Sequence, residues 1–278
     1  MIENRQFYID GTWVDPVTPR DCTVIDPSTE EPCAVISLGS EADTNAAVAA
    51  ARRAFPAWAN TPVEARIDYV EKVLEIHKRR MEDMERVISL EMGAPRHLSR
   101  TEQATSGTGN IADALEAAKH IQWERPLGDH APGAHLLMEP IGVVGMITPW
   151  NWPLSQVTLK VFPAMIAGCT MVLKPSEFAP LDAVLIAEMI DEAGVPAGVF
   201  NLVNGDGAGV GSQLSAHPDV DMISFTGSTR AGKAISHAAA DTLKRVSLEL
   251  GGKGANIIFE DAGERAVKTG VRRCFNNT

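Results

Sequence analysis

Residues 141–148 read IGVVGMIT, an apolar run without charge that gives way at once to Pro149, Trp150, Asn151, Trp152 and Pro153. A short apolar run bounded by turn residues marks a strand buried on both sides. Four more runs of the same kind follow: TMVLK at 170–174, VFNLV at 199–203, MISFT at 222–226 and RVSLEL at 245–250. Stretches with helical spacing separate them, at about 155–168, 180–194, 208–217 and 229–241. Strands alternating with helices spell a parallel sheet covered on both faces. Residues 140–250 are therefore expected to form a doubly wound, Rossmann-like α/β domain.

Working outward, the first forty residues hold short β-like pieces such as FYIDGTWVDP and CTVIDPSTEEP. Ser40 with Asp43 three residues on predicts a capping box opening a helix, with Ala47, Val48, Ala51 and Phe55 on its inner face. Thr61, Pro62 and Glu64 predict a second start, and an apolar face from Ile67 through Val70, Val73, Leu74, Met81, Met84 and Ile88 carries that helix to Gly93. A third helix is expected over 99–119, and the Pro- and Gly-rich segment 120–139 reads as a hairpin or arm. Beyond 250, ANIIFE at 255–260 reads as a strand, and a helix begins near 263. A domain that opens here and is not completed is expected to be truncated.

The chain has 278 residues, long enough for one large or two unequal domains, and 45% of them are apolar. Its formal charge of −11 repels phosphate backbones and anionic lipid, which excludes nucleic acid and membrane surfaces as expected partners. No apolar run reaches the roughly 20 residues of a membrane span, and no signal-like segment opens the chain. Cys22, Cys33, Cys169 and Cys274 are scattered without metal-ligand spacing, so no metal is expected and a reducing, cytoplasmic setting is.

Open α/β sheets bind ligands beyond the carboxyl ends of their strands, where this chain carries unusual residues. The loop TPWNWPL at 148–154 projects one amide, Asn151, from a stiff frame of tryptophans and prolines, although a packed aromatic turn also explains it. Lys174 and Glu177 flank Pro175-Ser176 after the second strand. Lys174 is either a solvated strand-end lysine or, with Glu177, a pair that holds a ribose, in which case the acid favours NAD over NADP. The glycines of NGDGAGVG at 204–211 do not spell a dinucleotide fingerprint. In TGSTRAGK at 226–233, Ser228 opens a helix whose N–H groups suit a pyrophosphate, and an ordinary cap explains it as well. Glu249 lies in an apolar strand end, where desolvation would raise its pKa and make it a general base, unless it is paired to a lysine such as Lys253.

Together and in this order, TPWNWP, LKPSE, FTGSTRAGK and LELGGK resemble the aldehyde dehydrogenase superfamily over essentially the whole chain. The resemblance implies an NAD-dependent oxidation of an aldehyde to a carboxylic acid through a cysteine thiohemiacetal and thioester. It implies that Asn151 is the oxyanion donor and Glu249 the general base. It places Ile147, Thr148, Pro149 and Trp150 along the cofactor, Lys174, Ser176 and Glu177 at the adenosine ribose, and Gly227, Ser228 and Gly232 at the pyrophosphate. Leu250 and Gly251 fall on the nicotinamide side. Residues 1–119 and 140–250 then form the dinucleotide-binding domain, 120–139 an oligomerisation arm of a dimer or tetramer, and 251–278 the start of a truncated catalytic domain. The family's nucleophile follows a Gly-Gln-x-Cys-like turn that would come after Thr278, and Cys274 is expected to be a packing residue on a helix face with Val267, Val271 and Phe275. The alternative is a catalytically inactive NAD-binding fragment.

Overall fold

The structure is a computed structural model and describes residues 1–277. The N-terminal part contains β1 (Ile2–Asn4), β2 (Phe7–Ile9), β3 (Thr12–Val14), β4 (Asp21–Asp26) and β5 (Glu31–Ser37). Helices α1 (Glu41–Ala59), α2 (Val63–Arg79), α3 (Met81–Met92), a single turn α4 (Arg96–Leu98) and α5 (Ala104–His120) follow. The hairpin β6 (Glu124–Pro126) and β7 (His135–Leu137) leads into β8 (Val143–Ile147), α6 (Pro153–Ala167), β9 (Thr170–Lys174), α7 (Leu181–Glu192) and β10 (Phe200–Leu202). Then come α8 (Ser212–Ala216), β11 (Met222–Gly227), α9 (Thr229–Ala240), β12 (Arg245–Leu250) and α10 (Gly263–Cys274).

The five expected strands form one parallel array within a seven-stranded sheet of order β12-β11-β8-β9-β10-β2-β3. The chain starts in the middle at β8, moves outward to β9 and β10, then crosses to β11 and β12 on the other side. The order therefore reverses between β8 and β11, the place where such sheets open a crevice. Successive side chains of one strand enter two different cores, as the pleat requires. Val144 and Met146 join Met171, Leu173 and the helices α2, α3, α5, α6 and α7, whereas Val143 and Ile147 join Val172, Ile223, Phe225 and the helices α1 and α9. Burial on both faces is why the runs of β8, β9 and β10 are almost continuously apolar.

The early strands divide between two sheets. β2 and β3 extend the main sheet antiparallel beyond β10, while β1, β5 and β4 form a separate three-stranded sheet. The Ser40 box is present: Asp43 Oδ2 accepts from Ser40 N at 2.8 Å, and Ser40 Oγ accepts from Asp43 N at 3.4 Å. The Thr61 box is not. The Thr61 hydroxyl instead donates to Ala57 O at 3.0 Å, closing the preceding helix, and Pro62 stands at the cap. The long helix expected to run to Gly93 breaks at Arg80, whose φ and ψ of −100° and 21° leave the helical region.

Two expectations fail beyond β11. ANIIFE forms no strand, because among the described residues no strand lies beside it to complete its hydrogen bonds, and Ile257 and Phe259 are largely exposed. The apolar face of α10 forms, but Val267, Val271, Cys274 and Phe275 on it are exposed rather than packed. Cys169, by contrast, is buried in the core.

Substituting Ser40→Ala removes one half of the capping box and should destabilise the fold by about 1 kcal/mol. A lowered urea midpoint with an unchanged m-value is the expected readout.

Candidate functional site at the sheet edge

Strand register sets the site. Ile147, the last residue of β8, pairs with Lys174 on one side and Phe225 on the other. Three loops consequently leave the sheet at one height. Thr148 N bonds back to Lys174 O at 3.2 Å, which fixes the first loop before it turns outward. Thr148 is buried, Pro149 is half-buried, and Trp150 and Asn151 reach the surface. The Asn151 carbonyl accepts from Gln103 Nε2 at 3.3 Å and Asn277 Nδ2 at 3.0 Å, so the main chain is held while its side-chain amide faces solvent. Gln103, fully buried in the π-helical turn before α5, was not singled out by sequence; nothing local ties residue 103 to residue 151.

Lys174 is 3% exposed, and its Nζ donates to Gly205 O at 2.7 Å and Glu177 Oε2 at 3.2 Å. Desolvation lowers its pKa, and Glu177 works against that shift. Ser176 is buried and its hydroxyl accepts from Phe178 N at 3.2 Å, shaping the turn that presents Glu177, which stays partly exposed. The far end of this loop is tied down by Glu91. Its carboxylate accepts from Leu181 N at 2.5 Å and Asp182 N at 3.0 Å, capping α7 from the end of α3. Asp182 is also fully buried, and among the described residues neither of its carboxylate oxygens has a partner in good hydrogen-bond geometry. Burial pushes the pKa of both carboxyls up.

Between the glycine turn and α9 lies a narrow cleft of 130 Å³, floored by Ile147 and Phe225 and walled by Gly207, Gly211, Ala231 and Ile235. Its apolar walls come from positions that periodicity assigns simply to the core. Ser228 caps α9, accepting from Ala231 N at 3.2 Å. Packing favours glycine at 227, where the buried Phe225 ring stands close, whereas at 232 only the exposed Leu250 side chain would have to move. A side-chain carbon on Gly227 would lie 2.5 Å from Phe225 Cζ, and one on Gly232 would lie 2.6 Å from Leu250 Cδ2.

Glu249 departs from expectation: it is exposed, so the burial on which its role as a desolvated base was argued is absent. The reason is its face. Val246 and Leu248 pack towards α9, whereas Glu249 points to the opposite side of the edge strand β12. Lys160 of α6 lies on that side, donating to Ser224 Oγ at 3.1 Å. Desolvation lowers the Lys160 pKa and the charge of Glu249 partly restores it, so the lysine facing Glu249 is Lys160; no ion pair to Lys253 is seen among the described residues. Leu250 and Gly251 are exposed at the end of β12, beside Gly227. Among the described residues no cluster of three or more His, Cys, Asp or Glu side chains could hold a metal, and no helix is long and apolar enough to cross a membrane.

Because Glu91 and Asp182 bind protons more tightly folded than unfolded, their contribution to stability is complete at low pH and is lost as pH rises above the ordinary carboxylate range. The melting temperature should fall as pH rises from about 4.5, where the unfolded carboxyls ionise, through about 7, where Asp182 ionises in the fold, and Asp182→Asn should flatten that slope. A slope unchanged by the substitution would assign the pH dependence elsewhere.

A family model described as the aldehyde dehydrogenase family matches residues 13–278. A 3-succinoylsemialdehyde-pyridine dehydrogenase of a Pseudomonas species is 52% identical over all of this chain and 58% of its own length. The crystal structure of an aldehyde dehydrogenase from Bartonella henselae superposes with a TM-score of 0.97 at 59% identity, over 99% of this chain and 58% of that one. An AldC aldehyde dehydrogenase mutant from Pseudomonas syringae, solved with NAD+ and octanal, gives 0.94 at 47% identity, over 98% and 55%. A Staphylococcus aureus betaine aldehyde dehydrogenase solved with NAD+ gives 0.91 at 35% identity, over 95% and 53%. The chain thus spans little more than half the length of these relatives.

Proposed function

The chain belongs to the aldehyde dehydrogenase family, and from that premise we propose that the sheet edge binds NAD for the oxidation of an aldehyde to a carboxylic acid. The observation that carries this reading is the meeting of the buried Lys174, the partly exposed Glu177, the apolar cleft and the Ser228 cap at one switch point. The cleft is narrow and apolar on both walls, which suits a flat adenine ring. Lys174 and Glu177 would hold the ribose hydroxyls, with Ser176 shaping their turn. The carboxylate favours a free 2′-hydroxyl, hence NAD over NADP. Gly227, Ser228 and Gly232 would present the first turn of α9 to the pyrophosphate. Ile147, Thr148, Pro149 and Trp150 would line the nicotinamide half, with Leu250 and Gly251 opposite.

NAD+ supplies the hydride acceptor when bound. The residues of this chain do the rest of what we assign to it. Asn151 would donate its amide hydrogen to the oxyanion that forms when a thiol adds to the aldehyde carbon. Its carbonyl is held by Gln103, so the side chain is presented from a fixed main chain. Glu249 would take a proton from the water that hydrolyses the resulting thioester. We assign the attacking thiol to none of the four cysteines. Desolvation raises the pKa of Cys22, Cys33 and Cys169, which is the wrong direction for a nucleophile, and Cys274 stands exposed on α10.

In this reading residues 1–119 and 140–250 form the cofactor domain, and residues from 251 onward begin a second one. The β6–β7 hairpin, with Leu137 and Met138 exposed, would be a homo-oligomer contact. The same cysteine environments favour a second reading for residues 1–278 by themselves, an NAD-binding module without turnover.

Calorimetry should show one NAD bound per folded chain, weakened about tenfold or more by Lys174→Ala. Aldehyde-dependent NADH formation should be absent from residues 1–278 alone. Turnover by that preparation would return the nucleophile to one of the four cysteines. In a turnover-competent protein carrying these residues, Asn151→Ala should lower kcat by about 10²–10³.

A further inference from the structure

We propose that the ion pair between Arg20 and Asp206 is a second determinant of cofactor choice, one that withholds a guanidinium from the position a 2′-phosphate would take. The inference rests on the NAD reading and concerns the ribose end of that same site. In dinucleotide folds an acid accepts the 2′-hydroxyl, whereas an arginine nearby accommodates the 2′-phosphate of NADP. This site contains both, and its arginine is engaged.

Arg20 Nη2 donates to Asp206 Oδ2 at 3.1 Å, with the arginine side chain 53% exposed. The other Asp206 oxygen accepts from Gly209 N at 2.5 Å, capping the glycine turn at 207–211. The guanidinium lies over that turn, since a side-chain carbon built on Gly209 would come within 3.5 Å of Arg20 Nη2. Gly207 and Gly211 of the same turn wall the adenine-sized cleft. Gly211 in turn lies against Lys174, whose Cδ would be 3.9 Å from a carbon added there. The Lys174 ammonium feels both Glu177 and Asp206, and the Cys22 thiol feels Glu177, Arg20 and Asp206. Arg20, Asp206, Lys174 and Glu177 therefore form one cluster around the ribose end, two cations against two carboxylates.

A neutral 2′-hydroxyl enters that cluster without disturbing its charge. A phosphate carrying close to two negative charges meets two carboxylates, with Lys174 already bonded to Gly205 and Glu177 and Arg20 already bonded to Asp206. The main chain of Arg20 is fixed to the neighbouring strand. Its N–H donates to Ser37 Oγ at 3.0 Å, and its carbonyl accepts from Leu38 N at 2.8 Å. Only the side chain has to move to meet a phosphate, and Asp206 is what holds it back.

Asp206→Asn tests this cleanly, because asparagine retains an oxygen to cap Gly209 while losing the charge that holds Arg20. Titration calorimetry with NAD and NADP on the 278-residue chain should show the NADP-to-NAD affinity ratio rising about tenfold in Asp206→Asn. The gain should vanish in Asp206→Asn combined with Arg20→Met. An unchanged ratio in folded Asp206→Asn overturns the proposal, as does a gain that survives loss of Arg20. Folded wild-type chain that takes up no NAD overturns the cofactor assignment, and the proposal with it. NAD uptake with an unresponsive ratio overturns the proposal alone.

Discussion

Everything at the sheet edge depends on the pairing of β8 with β9 on one side and β11 on the other. Polarity does not fix this register, because β8 is apolar on both faces and a slip of one residue would still bury apolar side chains. Volume does. Gly145 sits opposite Ile223, and a side-chain carbon there would come within 2.7 Å of Ile223 Cδ1. A slipped strand would bring Val144 or Met146 to that point, where the buried Ile223 side chain would have to move. With Gly145 seated, Ile147 ends level with Lys174 and Phe225, and the loops carrying Asn151, Glu177 and Ser228 emerge side by side.

The centre of the parallel array, β8, β9 and β10, could be read from sequence because its burial is symmetrical. When helices cover both faces, every residue of a strand is apolar, and the run announces itself without knowledge of its neighbours. The same logic misled at β12 and ANIIFE. β12 lies at the edge and is covered only on the α9 side, so Glu249 occupies an open face that the apolar run concealed. ANIIFE has the composition of a strand but no partner among the described residues, and an isolated strand has nowhere to place its amide hydrogens. Local signals fared according to whether the backbone could use them. Ser40 and Asp43 close a box that needs only four residues, whereas Thr61 was drawn to the end of the preceding helix.

The candidate site divides along the same line. Asn151, Lys174, Glu177 and Ser228 stand out because each sits at or just past a strand end, a place that sequence order reveals. The groups that hold them do not stand out. Gln103 reaches Asn151 from the turn before α5, Glu91 caps α7 from the end of α3, and Arg20 meets Asp206 from 186 residues earlier in the chain. Each is a polar side chain whose purpose exists only once distant elements have packed. Gln103 and Glu91 look in sequence like ordinary surface positions on helices, yet both are buried.

Buried charge at Lys174 is costly to maintain. An ammonium in this position loses its hydration, and a well-packed apolar side chain of similar size would commonly give a fold as stable or more so. The desolvation is offset by one carbonyl and one carboxylate, and that carboxylate is itself partly exposed, which weakens the pair. A lysine kept for stability alone would be better served by a buried partner, as Glu91 is served by two amide donors. Instead the cation is held rigidly while Glu177 is left with oxygen lone pairs facing outward. That arrangement fits a ligand that completes the hydrogen bonding of Lys174 and Glu177 together, and a sugar bearing adjacent hydroxyls does so with one group for the cation and one for the acid.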